Sequence, residues 1–367
     1  MDTDVDYIMD LDYNLDYNYE NYSASTESTE TAAEEHSSRH QSTCFSEKLC
    51  ISLLVINSLI FVLGVLGNGV VIWIAGLKMK KTVNTTWYLS LAVSDFLVCV
   101  IHPFNIAFIG MQDWVFGLFL CKTTSFVMFV NMFSSIFLLV FISVDRCVAV
   151  VFPVWAQNHR TVKTASLVVV LAWIFSAVLS VPALIFRDVK RHITTTMCLN
   201  DYSSLHNSHV AIAYSRFVFG FVVPFALIIV CYSVIGARLM RSSSLLTQGR
   251  KVARSRSPLK PLKVMTALIV TFFVCWLPYH VFILLERDPT VDRTVMKHGL
   301  QFGTALALAN SCLNPVLYVF MGQDFRKKFR NTLLSRIENA IGDGERLSRS
   351  SYLSRSTSMD GRASTHI

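Results

Sequence analysis

Seven stretches of apolar sequence, centred on residues 49–77, 86–110, 119–151, 164–186, 209–239, 262–285 and 297–320, dominate this chain of 367 residues. A bilayer core of about 30 Å takes roughly 20 helical residues to cross. Hydrocarbon offers no partner to a backbone N–H or C=O, so each crossing segment must satisfy its own hydrogen bonds as a helix. Composition agrees: 53% of the residues are hydrophobic and only 16% charged, against about 25% charged in ordinary soluble domains. The expected fold is an all-α membrane protein, a bundle of seven transmembrane helices. The first 40 residues are acidic and polar with no apolar core behind a basic start, so the first span is expected to act as the insertion signal.

The charges orient the bundle. Of the 33 Lys and Arg, 23 fall on four surfaces of one side: Lys78 to Lys81, Arg146 to Lys163, Arg238 to Lys263 and Arg326 to Arg362. The positive-inside rule puts these in the cytoplasm, with the N-terminus outside and the C-terminus inside. Residues 1–40 carry eleven acids against Arg39, so the net charge of +8 hides an acidic outer end and a strongly basic remainder. That basic excess faces anionic inner-leaflet lipid and cytoplasmic partners, which excludes nucleic acid as the partner it implies. Four regions follow: an extracellular acidic, Tyr-rich tail (1–47), the membrane domain (48–322), an amphipathic juxtamembrane helix (323–335) and a cytoplasmic Ser/Thr/Arg-rich tail (336–367).

Polar residues inside the spans are costly unless partnered, and they mark functional positions. Asp95 is the one carboxylate of the second span. Asn68 lies in the first. Asn131 and Ser135 share one face of the third, and Asn310 and Asn314 one face of the seventh, because residues four apart are neighbours on a helix. Together they suit a small hard cation such as sodium, a candidate allosteric ion and the only cofactor expected; a purely structural hydrogen-bond network is the alternative. Pro224, Pro278 and Pro315 each remove a helical hydrogen bond and are expected to kink their spans, with Trp276 beside one bend. Twenty-five residues separate Cys121 from Arg146, about 37 Å of helix, so one lies at the outer surface and the other at the inner. Cys198, before the fifth span, is also outside, where oxidation is permitted, and Cys121–Cys198 is the natural disulfide. Cys50, Cys99, Cys147, Cys231, Cys275 and Cys312 read as small apolar residues. Cys44 is left over.

Taken in order, Asn68 in GNGVV, Asp95 in LAVSD, Cys121, Asp145-Arg146-Cys147, Cys275-Trp276-Leu277-Pro278 and Asn314-Pro315-Val316-Leu317-Tyr318 resemble the rhodopsin-like G-protein-coupled receptors over residues 48–335. FPVWAQNHRTVK, IFRD, WVFG, NSCLNPVLYVFMGQDFRKKF and SRIENA are similar to the leukocyte chemoattractant group. The resemblance implies a plasma-membrane receptor. Its first-choice ligand is of the chemerin type, a protein or peptide with a free C-terminal carboxylate; formyl peptide, anaphylatoxin or prostaglandin-type lipid are the alternatives. It also implies an inhibitory-class heterotrimeric G protein, lower cyclic AMP, raised calcium and chemotaxis, with arrestin and receptor kinases as regulators. Arg146 is then held near Asp145 at rest and released on activation, when Tyr232 and Tyr318 turn inward. The DRC triplet departs from the commoner DRY, which affects only the ring contacts. The tail after residue 334 has no Cys, so Lys327, Lys328 and Arg330 must hold the juxtamembrane helix to lipid headgroups.

Arg216 lies eight residues before Pro224, about two turns outward. There it can hold a ligand carboxylate in a bidentate contact, or snorkel to the outer headgroups. Glu286 can pair with a ligand cation or with Arg287 and Arg293, and Gln301 and Thr304 are expected on the opposite wall. Acids beside Tyr13, Tyr17, Tyr19 and Tyr22 make sulfation substrates, and Asn21 is a glycan acceptor; Asn84 in NTT should stay bare on the inner side. Such an anionic tail would steer a basic protein ligand. Ser350, Ser351, Ser354, Ser356, Thr357 and Ser358 sit among arginines, so their phosphorylation reverses the local charge and offers arrestin a ligand. A transporter would show repeated halves and several ionisable residues along a path, and neither is present. No nucleophile or metal constellation suggests an enzyme. A scavenger signalling only through arrestin is the remaining competitor.

Overall fold

The computed structural model describes residues 48–192, 195–201, 208–247, 259–286, 290–321, 326–332 and 334. Helix α1 (Lys48–Trp73) runs on into a π-helical turn (Ile74–Lys78). It is followed by α2 (Val83–Met111), α3 (Gly117–Val151), the short α4 (Pro153–His159) and α5 (Val162–Phe186). An antiparallel hairpin, β1 (Arg187–His192) and β2 (Thr195–Asn200), pairs Arg187 with Asn200 and Val189 with Cys198. Next come α6 (Ser208–Phe217), a second π-helical turn (Val218–Val222), α7 (Val223–Thr247), α8 (Leu259–Leu285) and α9 (Arg293–Met321). Residues 326–332 form a further turn of helix with Arg326, Lys327, Lys328 and Arg330 exposed and Phe329 packed on the core.

Local chemistry sets the ends. Thr82 accepts from the Thr85 N–H at 3.2 Å while Thr85 Oγ1 accepts from the Thr82 N–H at 2.7 Å, a reciprocal cap that starts α2. Thr161 caps α5 through the Thr164 N–H. Asp292 accepts from the N–H groups of Thr294 (2.8 Å) and Val295 (3.1 Å) at the start of α9. These two backbone bonds hold its carboxyl below the ordinary carboxylate range. Gln112 ends α2 in the left-handed region at φ 54°. Pro153 stops α3 and opens α4, since a proline is tolerated in a first turn but not beyond it.

Six helices among the described residues are long and apolar enough to cross a membrane. The seventh, α9, packs against α8 and α1 and turns its polar residues inward. Helix α3 is central, touching α2, α5, α7 and α8, and Met132, Phe133, Ile136, Leu138 and Ile142 along it are wholly buried. The outer faces stay apolar: Leu59, Leu63, Leu66, Phe175, Val178, Val230 and Val274 are exposed. A helix that is hydrophobic all round belongs in lipid.

Pro278 and Pro315 lie inside α8 and α9 as expected. Pro224 does not interrupt a regular helix: it follows the π-helical turn Val218–Val222 and sits in the first turn of α7. Pro103 in α2 and Pro182 in α5 are two further interior prolines that the sequence reading passed over. Cys50 corrects another reading: it is disulfide-bonded, not a packed thiol. Cys99, Cys147, Cys231, Cys275 and Cys312 are free.

Candidate ligand cavity and switch sites

A cavity of about 190 Å³ opens between the helices at the end of the bundle that carries the β1–β2 hairpin. Arg216, Glu286, Gln301 and Thr304 all line it, against apolar walls that include Leu53, Phe108, Met128, Phe129, Ile283 and Leu308. Arg216 and Glu286 are each only 7% exposed, so Arg216 does not snorkel to the surface. Its guanidinium lies 3.6 Å from the centroid of the Phe129 ring, a cation–π contact that offsets part of the desolvation of a buried charge. Arg187, at the start of β1, also lines the cavity. Two arginines against one glutamate leave the lining with a positive excess, which favours an anionic ligand group.

The rim is braced. The Cys121–Cys198 disulfide ties β2 to the N-terminal end of α3. The Trp114 N–H donates to Thr196 O at 2.7 Å, and the Thr196 N–H to Asp113 Oδ1 at 2.6 Å. Trp114 is buried, with its indole N–H on Gly117 O at 3.0 Å and its ring edge-on to Phe108 and Phe116. From Phe129 a line of rings leads inward through Tyr279 (6.5 Å between centroids) to Trp276 (5.8 Å), which lies beside Pro278. Trp276 is 1% exposed and does not line the cavity itself.

Deeper, Asp95 is fully buried. Its carboxylate accepts from Asn131 Nδ2 at 3.0 Å and from Asn314 Nδ2 at 2.8 Å, which joins α2 to α3 and α9. Asn131 also donates to Ser94 Oγ (3.1 Å), Ser94 shares a 2.6 Å hydrogen bond with Ser134, and Ser311 Oγ donates to Asn131 Oδ1 at 3.4 Å. Asn68 Nδ2 reaches Ser311 O at 2.8 Å and so binds α1 to α9. Two buried oxygens beside this network, Asn68 Oδ1 and Ser135 Oγ, have no hydrogen-bond partner among the described residues. Asn310 is buried on the same helix as Asn314 but makes none of the bonds to Asp95. A carboxylate with spare amide and hydroxyl oxygens is the donor set a small hard cation takes, so these residues fit sodium.

Near the C-terminal end of α3, Arg146 is ion-paired with Asp145, donating to Oδ2 through Nε (3.0 Å) and Nη2. Arg160, which caps the C-terminal end of α4, takes the same carboxylate, with Nε on Oδ1 at 2.7 Å and Nη2 on Oδ2 at 3.1 Å. Asn84 Oδ1 accepts from both guanidiniums, at 2.7 Å from Arg146 and 2.6 Å from Arg160. One carboxylate and one amide oxygen therefore hold two cations. Tyr232 is half-buried on α7 against the core.

Residues 67–318 match the model of the 7 transmembrane receptor (rhodopsin family). The chain belongs to that family. This receptor is 44% identical to Chemerin-like receptor 1 of Rattus norvegicus over 313 residues, 80% of this chain and 81% of the relative. It is 38% identical to the C3a anaphylatoxin chemotactic receptor of Danio rerio over 339 residues, covering 92% and 89% of the two chains. It is 38% identical to Formyl peptide receptor 2 of Mus musculus over 317 residues, covering 81% and 87%. It is therefore a multi-pass membrane receptor of the G-protein-coupled class, in the chemoattractant group, and not an enzyme.

Within the receptor, the four expected ligand residues converge on one cavity, and Asp95, Asn131 and Asn314 meet as one hydrogen-bonded set. Sequence reasoning missed Ser94, Ser134, Ser311, Asn84 and Arg160. Ser94 adjoins Asp95 and Ser134 lies one turn from Asn131, a spacing that was there to read. Asn21, Tyr13, Tyr17, Tyr19, Tyr22, Cys44, Arg287, the Ser350–Ser358 cluster and the side chains of Arg293 and Tyr318 lie outside the described residues.

Proposed function

We propose that this receptor binds chemerin, with the ligand's C-terminal peptide in the cavity and its terminal carboxylate on Arg216. The convergence of Arg216, Glu286, Gln301 and Thr304 on a single apolar-walled, net-positive cavity carries this reading. A carboxylate drawing Arg216 away from Phe129 would loosen the ring line to Tyr279 and Trp276, and the Pro278 bend lets the inner half of α8 respond. At the inner end Arg146 would exchange Asp145 for the tail of an inhibitory-class G protein, supported by Tyr232 and Tyr318. Two discrete sets of partners for one arginine make a two-state switch. Sodium at Asp95, Asn131 and Ser135, with Asn310 and Asn314 on the α9 side, would favour the resting bundle. Basic loops set the N-terminus outside and the C-terminus in the cytoplasm of a plasma-membrane protein. Signalling lowers cyclic AMP, raises calcium and promotes leukocyte chemotaxis, and phosphates on the 336–367 tail recruit arrestin after receptor kinases act.

The test challenges cells expressing the receptor with chemerin, formyl peptides, anaphylatoxin and prostaglandin D2, reading cyclic AMP suppression and GTP-analogue exchange on membranes. Chemerin should be the potent agonist in both. A response to another of the four reassigns the ligand. Arrestin recruitment without nucleotide exchange would make the protein an arrestin-biased scavenger.

A further inference from the structure

On the α1–α2 side of the cavity a buried imidazole is held by one nitrogen only. Asn57 on α1 and His102 on α2 both line the cavity, and they are 3% and 1% exposed. Asn57 Nδ2 lies 2.7 Å from Leu53 O, and a backbone carbonyl can only accept, so that atom is the NH₂ group. Asn57 Oδ1 is then the atom 3.0 Å from His102 Nε2, and it too only accepts. His102 must therefore carry its proton on Nε2 and present a bare lone pair at Nδ1. Nδ1 is buried and has no hydrogen-bond partner among the described residues. A tie between α1 and α2 needs Nε2 alone. A second buried acceptor left open calls for its own explanation, because nearly all such atoms are paired.

We propose that His102 is a ligand-reading residue whose Nδ1 accepts a hydrogen bond from a neutral donor, an amide N–H or a hydroxyl, on the part of the ligand that enters between α1 and α2. Asn57 is the positioning residue that selects the tautomer. The net-positive lining disfavours an ammonium at this point, and the apolar Leu53 and Leu308 in the same lining favour a neutral donor. This rests on the reading of the cavity as the ligand site. It places a second polar anchor away from Arg216, so that a ligand is read for a donor as well as for its carboxylate.

The test measures binding of chemerin and of synthetic peptides from its C-terminal end to membranes bearing the wild type, His102→Phe, His102→Asn or Arg216→Gln at matched surface expression. Phe keeps the ring volume without the lone pair, and affinity should fall about tenfold, equivalent to about 1.4 kcal/mol. Asn places an amide oxygen near the Nδ1 position and should restore most of the loss. Peptides with single N-methylated amides or single deleted hydroxyls then find the donor. One analogue should lose affinity on the wild type and on His102→Asn but not on His102→Phe, and its type tells amide from hydroxyl. Unchanged affinity in His102→Phe while Arg216→Gln weakens binding would overturn the proposal and leave the cavity reading intact, as would equal losses in Phe and Asn with no selective analogue. If neither Arg216→Gln nor His102→Phe alters binding, the cavity reading falls as well. If chemerin does not bind the wild type, the same variants are read with whichever of anaphylatoxin or formyl peptide does.

Discussion

Asp145→Asn removes the charge that holds two guanidiniums while leaving the side chain's shape and one acceptor oxygen. Asp145 accepts four hydrogen bonds, two from Arg146 and two from Arg160. The Arg146 pair is shielded, its side chains 13% and 12% exposed, whereas Arg160 is 28% exposed and more screened. Hydrogen bonds to charged groups contribute about 1.5–3 kcal/mol, so the Arg146 contact favours the resting arrangement by about 2 kcal/mol once partial exposure is allowed for. At about 1.4 kcal/mol per factor of ten, its loss shifts the resting equilibrium roughly 30-fold. A receptor whose active form is about 1% populated without ligand would rise to about a quarter. The two arginines left facing each other on Asn84 Oδ1 would repel and push the same way. The assay is ligand-free GTP-analogue exchange with purified inhibitory-class G protein at matched surface expression. Adding Arg160→Leu to Asp145→Asn should lower the raised rate by relieving that repulsion, and Arg160→Leu alone should not raise it. An unchanged basal rate in Asp145→Asn would refute the reasoning.

Cys121→Ser and Cys198→Ser should each cost about 2–4 kcal/mol and reduce surface expression, and the double variant should be no worse than the worse single one by flow cytometry. Arg216→Gln should weaken a chemerin C-terminal peptide with a free carboxylate by roughly 1.5–3 kcal/mol, and hardly affect the amidated peptide; additive losses in a binding cycle would separate the two groups. In Gly303→Ala the added carbon would lie 2.9 Å from Tyr279 N and 3.0 Å from Tyr279 Cα, both backbone atoms. Helix α9 would have to move off the Pro278 bend at a cost of about 1–3 kcal/mol, seen as a lower melting midpoint of the solubilised receptor. Asp292 has a folded pKa below its unfolded one, so its capping contribution is present above the unfolded pKa and lost as pH falls through the folded one. The difference in melting midpoint between wild type and Asp292→Ala should narrow over that fall.

The spans were readable because twenty apolar residues have few fates other than a crossing helix, and their ends matched to within a few residues, even where the cap was a single threonine such as Thr161, except in the fifth, whose helix runs eight residues past 239 to Thr247. The π-helical turn at Val218–Val222 was not readable: Pro224 announces a break in the ladder but does not say whether it kinks or widens. Nor was the hairpin Arg187–Asn200, whose RDVKRH lacks the alternation that marks a strand and which is held by the Cys121–Cys198 bridge and the Trp114 loop. The site divides in the same way. Asp95 and Arg216 stand out because a charge in an apolar run is expensive wherever it points. Hydroxyls do not stand out: Ser143, Ser176 and Ser180 bond their own helix four residues back, while Ser94 and Ser134 bond across helices. Only the rotation of the helices separates the two cases. Arg160 was counted among the inner-side charges, and its approach to Asp145 depends on α4 turning the chain back.

The braced hairpin has a kinetic consequence. A hairpin already tied down by the disulfide and by Trp114 and Asp113 does not have to be immobilised when a ligand arrives, so this part of the rim should add no ordering cost to docking. The two halves of an affinity then belong to different parts of the chain. Salt and loss of the acids of residues 1–40 should act on how fast a basic ligand arrives. Changes at Arg216, Glu286 or His102 should act on how long it stays. A ligand's residence time on this receptor is in that sense written in the cavity lining and its arrival rate in the acidic tail.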